Sequence, residues 1–483
     1  MPRNAASTRL TKTLASITSS CVMYKVKANR YACMIFPFPA SIARVFIHLM
    51  IVCRKTVMPI INAAHCGLKD TDITLHQKNY SSTLTLNFAL LYRCNCMRYG
   101  LRYRILFLIL FSLALGISGL ARSADLIHVG VTVSKTGKYA ELGSMNEKAY
   151  RLWERDVNRR GGLLGKQVQI TMLDDKSDPH LASNLYRKLI VGDKVDLVLG
   201  PYSSDITEAV SNITEQHHMP LLASGASADS IWQQHRNYVF GVYVTSSKYS
   251  VGFLELLVKS GINRIAIVAA DDSFSQSISI GTAEWAKRYE MQTVLSATFK
   301  KGSTDIRNSI QAARLAGAEA VIVAGHFDDA VNGRRALKEI GWTPRAYYAT
   351  VGPAIQKFSD TLKDDADYTY STSQWEPTLS YPGAREFTQS FREEYGILPS
   401  YHAASAYASG QILEAAIRKI KSIDREKLRD ALSRLDAITV MGRYGVDESG
   451  RQIRHFTTTV QWQKGKKEVV APQELITAKP VWR

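Results

Sequence analysis

The chain has 483 residues and a formal net charge of +18, with 61 Lys/Arg against 43 Asp/Glu. A balance this basic ordinarily points to nucleic acid or an anionic membrane as partner, but the excess sits at one end. Residues 1–96 carry twelve Lys/Arg and two Asp/Glu, residues 97–124 add four Arg and no acid, and the remainder has 45 basic against 41 acidic residues, an ordinary soluble surface that argues against a nucleic-acid partner.

Cysteine follows the same division. Cys21, Cys33, Cys53, Cys66, Cys94 and Cys96 all lie upstream, so the long C-terminal part is expected to hold no disulfide and no thiol chemistry. An apolar stretch around 42–52 is too short and too interrupted to span a membrane. Met97 then opens MRYGLRYRILFLILFSLALGISGLARSA. Arg98, Arg102 and Arg104 form a basic head, 105–115 an apolar core, and small residues near Ala121 and Ala124 a cleavage zone. That is the layout of a secretory signal peptide over 97–124. Because such a signal works near a chain start, Met97 is the expected initiator, and 1–96 is expected to be a mis-annotated or disordered upstream extension. The mature protein is then expected in the periplasm.

From Asp125 onward strands and helices alternate. Ile127, Val129, Val131 and Val133 have strand spacing, and 143–160 reads as a helix with Ala149, Leu152, Trp153 and Val157 on one face. Gly161-Gly162 ends it. The short apolar runs VQITML, VDLVLG, MPLLAS, RIAIVAA, TVLSATF and AEAVIVAG follow, separated by helical stretches. Continuous apolar runs suit parallel strands buried on both faces, so the expected class is α/β and doubly wound. About 360 residues exceed one such core, which predicts two lobes; with no Pro/Gly/Ser-rich linker, several crossings at a hinge should join them.

Ligands of open parallel sheets sit beyond the carboxyl ends of the strands. The loops to inspect are therefore 134–143, 201–205, 224–229, 271–276, 325–329 and 350–353. Ser203, Ser204, Ser224 and Ser227 stand where helices begin, as helix caps or as anion donors. His326 follows a strand on such a loop, and Tyr139, Tyr202, Phe274, Trp375 and Tyr401 lie near strand ends as core residues or as apolar walls of a small-molecule pocket. Enzyme signatures are weak or missing. GGLLGK at 161–166 has the wrong spacing for a phosphate loop and follows a helix, so it reads as a cap and turn. Asp174, Asp175 and Asp178 read as a turn opening the next helix rather than as metal ligands. His217 and His218 fall at a helix end. No nucleophile–base set, cofactor motif or metal spacing is present, so the expectation is a binding protein, not an enzyme, with no cofactor and no metal.

Taken in order, IHVGVTVSKTGKYAELG, VNRRGGLLGKQV, LDDKSDP, VDLVLGPYSS, MPLLASGAS, RIAIVAADDSF, SQWEPTLSYPGAREF and YHAASAYASGQILEAA carry a resemblance to a known family. The chain from Asp125 resembles the periplasmic solute-binding proteins of branched-chain amino-acid type ABC importers, leucine-binding-protein-like members of the type I periplasmic-binding fold. The resemblance implies two doubly wound parallel-sheet lobes joined by a three-crossing hinge, with a ligand cleft between them. It assigns 125–243 and 374–440 to the first lobe, 244–373 and 441–483 to the second. By the same resemblance Ser204 meets the ligand carboxylate, Ser227 its carboxylate or ammonium, and Gly225 offers a backbone carbonyl to the ammonium. Phe274, Leu142 with Tyr139, and His326 wall the pocket, with Tyr202 and Trp375 from the aromatic set. Val351 stands where amino-acid-binding members carry a Glu for the ligand ammonium. Either Asp328, Asp329 or Glu376 substitutes, or the ligand has no ammonium. The resemblance thus implies the extracytoplasmic, monomeric and disulfide-free binding component of an importer, with an inner-membrane ABC permease as partner. Its ligand is an amino acid or related small carboxylate; an aromatic acid or short amide, or a sensory module serving a kinase or chemoreceptor, are the alternatives.

Overall fold

A computed structural model describes residues 126–483, together with the backbone of two short strands further upstream. Segment 97–124, expected to be a signal peptide, and most of 1–96 lie outside the described residues. The upstream strands, β1 (Cys21–Val26) and β2 (Arg30–Ile35), pair antiparallel.

The first lobe begins with β3 (Leu126–Val133), which lies between β4 (Gln167–Asp174) and β5 (Leu197–Val198), parallel to both. This central place explains why β3 is buried on both faces from Val129 onward. Helix α1 (Ala140–Arg159) buries Ala149, Leu152, Trp153 and Val157, the face read from the sequence. It ends at the Gly161-Gly162 turn, where Gly162 N–H donates to Val157 O, and Leu163 and Lys166 bridge antiparallel. The 161–166 segment is thus a cap and turn. Asp178 caps α2 (Pro179–Arg187) by accepting from His180 N and Leu181 N, while Asp175 accepts from Thr132 Oγ1, Ser134 Oγ and Ser177 N. These carboxylates are committed to turn geometry.

After α3 (Ser204–Gln216), strands β6 (Leu221–Ala223) and β7 (Val239–Gly241) pair parallel, and a parallel bridge between Tyr202 and Gly225 joins the ends of β5 and β6. The expected strand VDLVLG is regular only over Leu197–Val198. Beyond it, the chain turns out toward the bridge at Tyr202.

The second lobe holds a seven-stranded sheet. With β8 (Arg264–Ala270), β9 (Gln292–Phe299), β10 (Ala320–Ala324), β11 (Ala346–Ala349), β12 (Thr369–Ser373), β15 (Thr458–Gln463) and β16 (Lys466–Ala471), its order is β16-β15-β12-β11-β10-β8-β9. Alternation divides its side chains between two cores. Ile265, Ile267, Ile322 and Tyr348 pack with Phe253 and Leu254 on one face; Ala266, Val268, Val323 and Ala349 join the main core on the other. The sheet is therefore covered on both faces, as a doubly wound lobe requires. It departs from an all-parallel expectation at one edge, since β15 and β16 run antiparallel. Lys464 and Gly465, both at positive φ, form the two-residue turn between them.

The chain passes between the lobes three times: after β7, after β12, and before β15. Gln374 ties these passages together. Its Oε1 accepts from Val244 N at 2.8 Å, its Nε2 donates to Tyr249 Oη at 2.5 Å, and its carbonyl O is 2.7 Å from His455 Nε2. Between the second and third passages, α11 (Tyr401–Ile420) packs on α1. Trp153 lies against Gly410, where an added Cβ would come within 2.2 Å of the indole, and Trp153 Nε1 donates to Glu414 Oε1 at 2.8 Å. Only glycine permits that approach, and it anchors the helix whose first turn reaches the cleft. Residues 442–452 stay with the first lobe, because Gly241 N–H donates to Gly450 O at 2.7 Å. The third passage therefore comes after Gln452, beyond the boundary at 440 that the resemblance implied.

Candidate functional site

Between the lobes, loops at the carboxyl ends of the strands converge on one small space. From the first lobe come Tyr202, Ser203 and Ser204 after β5, and Gly225 and Ser227 after β6. From the second come Phe274 after β8, His326 after β10 and Val351 after β11. Five of the six loops singled out from the sequence thus contribute to the lining. The sixth, 134–143, sends Tyr139 only as far as ring contact with Tyr202 and His326, at centroid distances of 5.6 and 4.8 Å.

The cleft is closed. Tyr202 Oη is 3.5 Å from His326 Nδ1 across it, and Lys301–Asp205 and Lys357–Glu141 pair between the lobes. Tyr139 Oη also reaches Asp205, at 3.3 Å. The enclosed space is about 10 Å³, room for roughly one water. Small-molecule pockets usually measure roughly 300 Å³ or more, so a ligand needs the lobes to part and re-close around it.

Local structure gathers hydrogen-bond donors at one corner. Ser203 caps α3 through its Oγ, which accepts from Ile206 N at 3.3 Å. Its own backbone lies at φ 79°, ψ 148°, a region that costs a non-glycine residue about 1–3 kcal/mol. That conformation starts the helix at the cleft wall, and the first N–H groups of a helix have no intrahelical acceptor. Ser204 Oγ accepts from Ser227 N at 3.2 Å and Ala228 N at 3.1 Å. With both lone pairs used, its remaining group is a donor. Gly225 O accepts from Ser203 N at 3.1 Å. An added Cβ on Gly225 would sit 2.8 Å from Pro201 O and Tyr202 Cα, so the loop–loop bridge requires glycine.

The second-lobe wall is held by Asp272. Burial would raise its carboxyl, but the His326 imidazole, with Nε2 3.4 Å away, and hydrogen bonds from Ser275 hold it down at about 2. Asp272 is therefore ionised and spent on His326 and the cap of α6 (Ser273–Arg288). Val351 lies at φ 42°, ψ −40°, with Gly352 N–H donating to Thr350 O at 2.5 Å. This is a γ-turn with positive φ, strained for a β-branched residue.

Three expected residues do not line the space. Leu142 is buried in the packing of α1, Tyr139 touches the lining rings from outside, and Trp375 packs edge-on against Phe387 at 5.8 Å in the first-lobe core. Residues not assigned from the sequence complete the wall instead: Tyr243 and Tyr249 from the first passage, and Tyr401 and His402 from the first turn of α11. The passages carry no motif, and Tyr401 stood out only as an aromatic. Burial drives His402 down to about 3, with Lys467 and His326 adding to the shift, so its ring is neutral. Burial also raises the phenols of Tyr202, Tyr243 and Tyr401 well above their ordinary value.

No Asp or Glu is among the lining residues. The three carboxylates considered for an ammonium are placed elsewhere. Asp328 is exposed, Asp329 accepts from His326 N at 2.8 Å, and Glu376 pairs with Lys467 at 2.9 Å.

Comparison with known proteins agrees with this architecture. A family model described as periplasmic binding protein matches residues 126–467. A Leu/Ile/Val-binding protein homolog 7 of Brucella suis is 26% identical over 385 residues, covering 76% of this chain and 96% of the relative. Among solved structures, a leucine-binding protein of Thermotoga maritima superposes with a TM-score of 0.67 at 20% identity, over 71% of this chain and 98% of that one. A solute-binding protein of an ABC transporter from R. palustris, in complex with benzoate, gives 0.64 at 17% identity, over 74% and 100%. Among the described residues no helix is long and apolar enough to cross a membrane. With its two lobes, its cleft at the strand ends and a family match over most of its length, the chain belongs to the periplasmic binding protein family.

Proposed function

We propose that this protein is the extracytoplasmic substrate-binding component of an ABC importer, and that its ligand is a small aromatic carboxylate without an ammonium group. The observation that carries the choice of ligand is the lining itself: five aromatic side chains, two imidazoles and three serines, with no acidic residue. Ring walls of this kind favour a flat apolar body. A desolvated ammonium without a carboxylate partner is costly, which ranks a branched-chain amino acid second. The carboxylate is held at the α3 N-terminus by Ser204 Oγ, by the unpaired N–H groups of the first turn and by Ser227. Phe274, His326 and Val351 close over it from the second lobe, and the closed form is what the permease receives. The reading includes export through residues 97–124 and binding without turnover.

Calorimetric titration with benzoate, hydroxybenzoates, acetamide, leucine and isoleucine tests the reading. Saturable binding of an aromatic acid with no response to leucine is expected. Leucine bound tightly and aromatic acids ignored would overturn it. Genes for a permease and an ATPase beside this one accord with transport, a histidine kinase with the sensory alternative.

A further inference from the structure

Two buried polar atoms at the cleft lack the partners that buried polar groups almost always have. Tyr401 is 1% exposed and its Oη makes no hydrogen bond; His402 is 1% exposed and its Nε2 makes none. Both residues line the closed space. Their rings stack on each other at a centroid distance of 3.9 Å and an interplanar angle of 26°, so the two atoms belong to one rigid unit at the start of α11.

The surroundings do not supply what is missing. Tyr249 is adjacent and its hydroxyl accepts from Gln374 Nε2, while no hydrogen bond reaches Tyr401 Oη. On the histidine, Nδ1 is 3.3 Å from Ser400 Oγ, leaving Nε2 as the ring nitrogen without a partner. The carboxylate corner at Ser204 and Ser227 is built from other elements, so this pair is a second polar point in an otherwise aromatic chamber.

We infer that Tyr401 Oη and His402 Nε2 form a subsite for a neutral hydroxyl on the ligand, making hydroxylated aromatic acids the preferred class over the bare acid; this rests on the aromatic-carboxylate reading above. The chemistry selects a hydroxyl for a simple reason. A phenol and a neutral imidazole each offer a donor or an acceptor, and a ligand hydroxyl can donate to one while accepting from the other. A second carboxylate would bring negative charge to a corner whose nearby cation, Lys467, is already paired with Glu376, and a plain ring would leave both atoms unsatisfied. Sites built to hydrogen-bond a ligand hydroxyl discriminate strongly against the analogue that lacks it.

The test is the ratio of affinities for 2-, 3- and 4-hydroxybenzoate to that for benzoate, by calorimetry on the wild-type chain, Tyr401→Phe and His402→Asn. Asparagine keeps a polar group near the Nδ1 position and removes Nε2. At least one isomer should bind the wild type about tenfold or more tighter than benzoate. Either variant should bring that ratio close to one. A merely structural role would weaken both ligands together and leave the ratio intact, which would overturn the inference. Equal wild-type affinities for benzoate and all three isomers would overturn it too, with the aromatic-carboxylate reading still standing. Leucine binding with no aromatic binding would overturn both.

Discussion

Replacing Ser204 by Ala separates two roles of one hydroxyl. Its Oγ accepts the N–H groups of Ser227 and Ala228 at 3.2 and 3.1 Å, all within the first lobe, so the bonds persist when the cleft opens. Alanine leaves two buried donors without acceptors, at about 1–3 kcal/mol each before relaxation. On the proposed reading the ligand carboxylate takes the hydroxyl proton, and losing a hydrogen bond to a charged group costs about 1.5–3 kcal/mol, which is roughly tenfold to a hundredfold in Kd. Urea unfolding measures the first effect and titration with the best aromatic acid the second. Both should appear in Ser204→Ala, while Ser204→Thr, which keeps the oxygen, should recover part of each. A stability loss with unchanged Kd would restrict Ser204 to a structural role. Unchanged stability would refute the hydrogen-bond geometry itself.

Three further outcomes follow from the same structure. His402, buried, and His455, half-buried, are held down at about 3 and about 4 from an ordinary 6.5, so below pH 6.5 the unfolded chain takes up protons that the native state refuses. Stability should then fall by up to about 1.4 kcal/mol per pH unit for each histidine until its folded-state value is reached; His402→Asn should reduce that slope, and an identical slope would contradict the assignment. Gln374→Leu removes the side-chain hydrogen bonds joining the first and second passages, keeps the main-chain carbonyl that meets His455, and leaves Val244 N–H unpaired, so urea unfolding should show a loss of about 1–3 kcal/mol; no loss would mean these passages are held by something else. Asp205→Asn weakens the pair with Lys301 across the cleft. Ligand affinity should drop about two- to fivefold and small-angle scattering should show more of the open form, whereas wild-type affinity and shape would remove this pair from closure.

Much of the site was legible because it lies where strand ends must lie. In a parallel sheet every strand feeds its loop to the same edge, so the apolar runs marked the loops carrying Tyr202, Ser204, Gly225, Ser227, Phe274 and His326. Tyr243, Tyr249 and His402 escaped notice for a matching reason: they sit on hinge passages and on a helix start, where no periodicity announces a pocket. Trp375 misled because an aromatic near a strand end serves a core as readily as a cleft, and its packing on Phe387 is a contact between segments that only folding brings together. The antiparallel edge of the second sheet was likewise hidden in a two-residue turn.

The order of apolar runs determined the α/β class and the two lobes, and the strand-end rule marked loops that meet at the cleft, since each depends on local pattern and on the constant geometry of parallel sheets. Tertiary structure alone decided which rings face the cleft, that Asp272, Asp329 and Glu376 are spent on His326 and Lys467, and that Tyr401 and His402 keep unpaired polar atoms there. Those facts depend on distances between residues far apart in the chain, and such distances are fixed by packing rather than by any local preference.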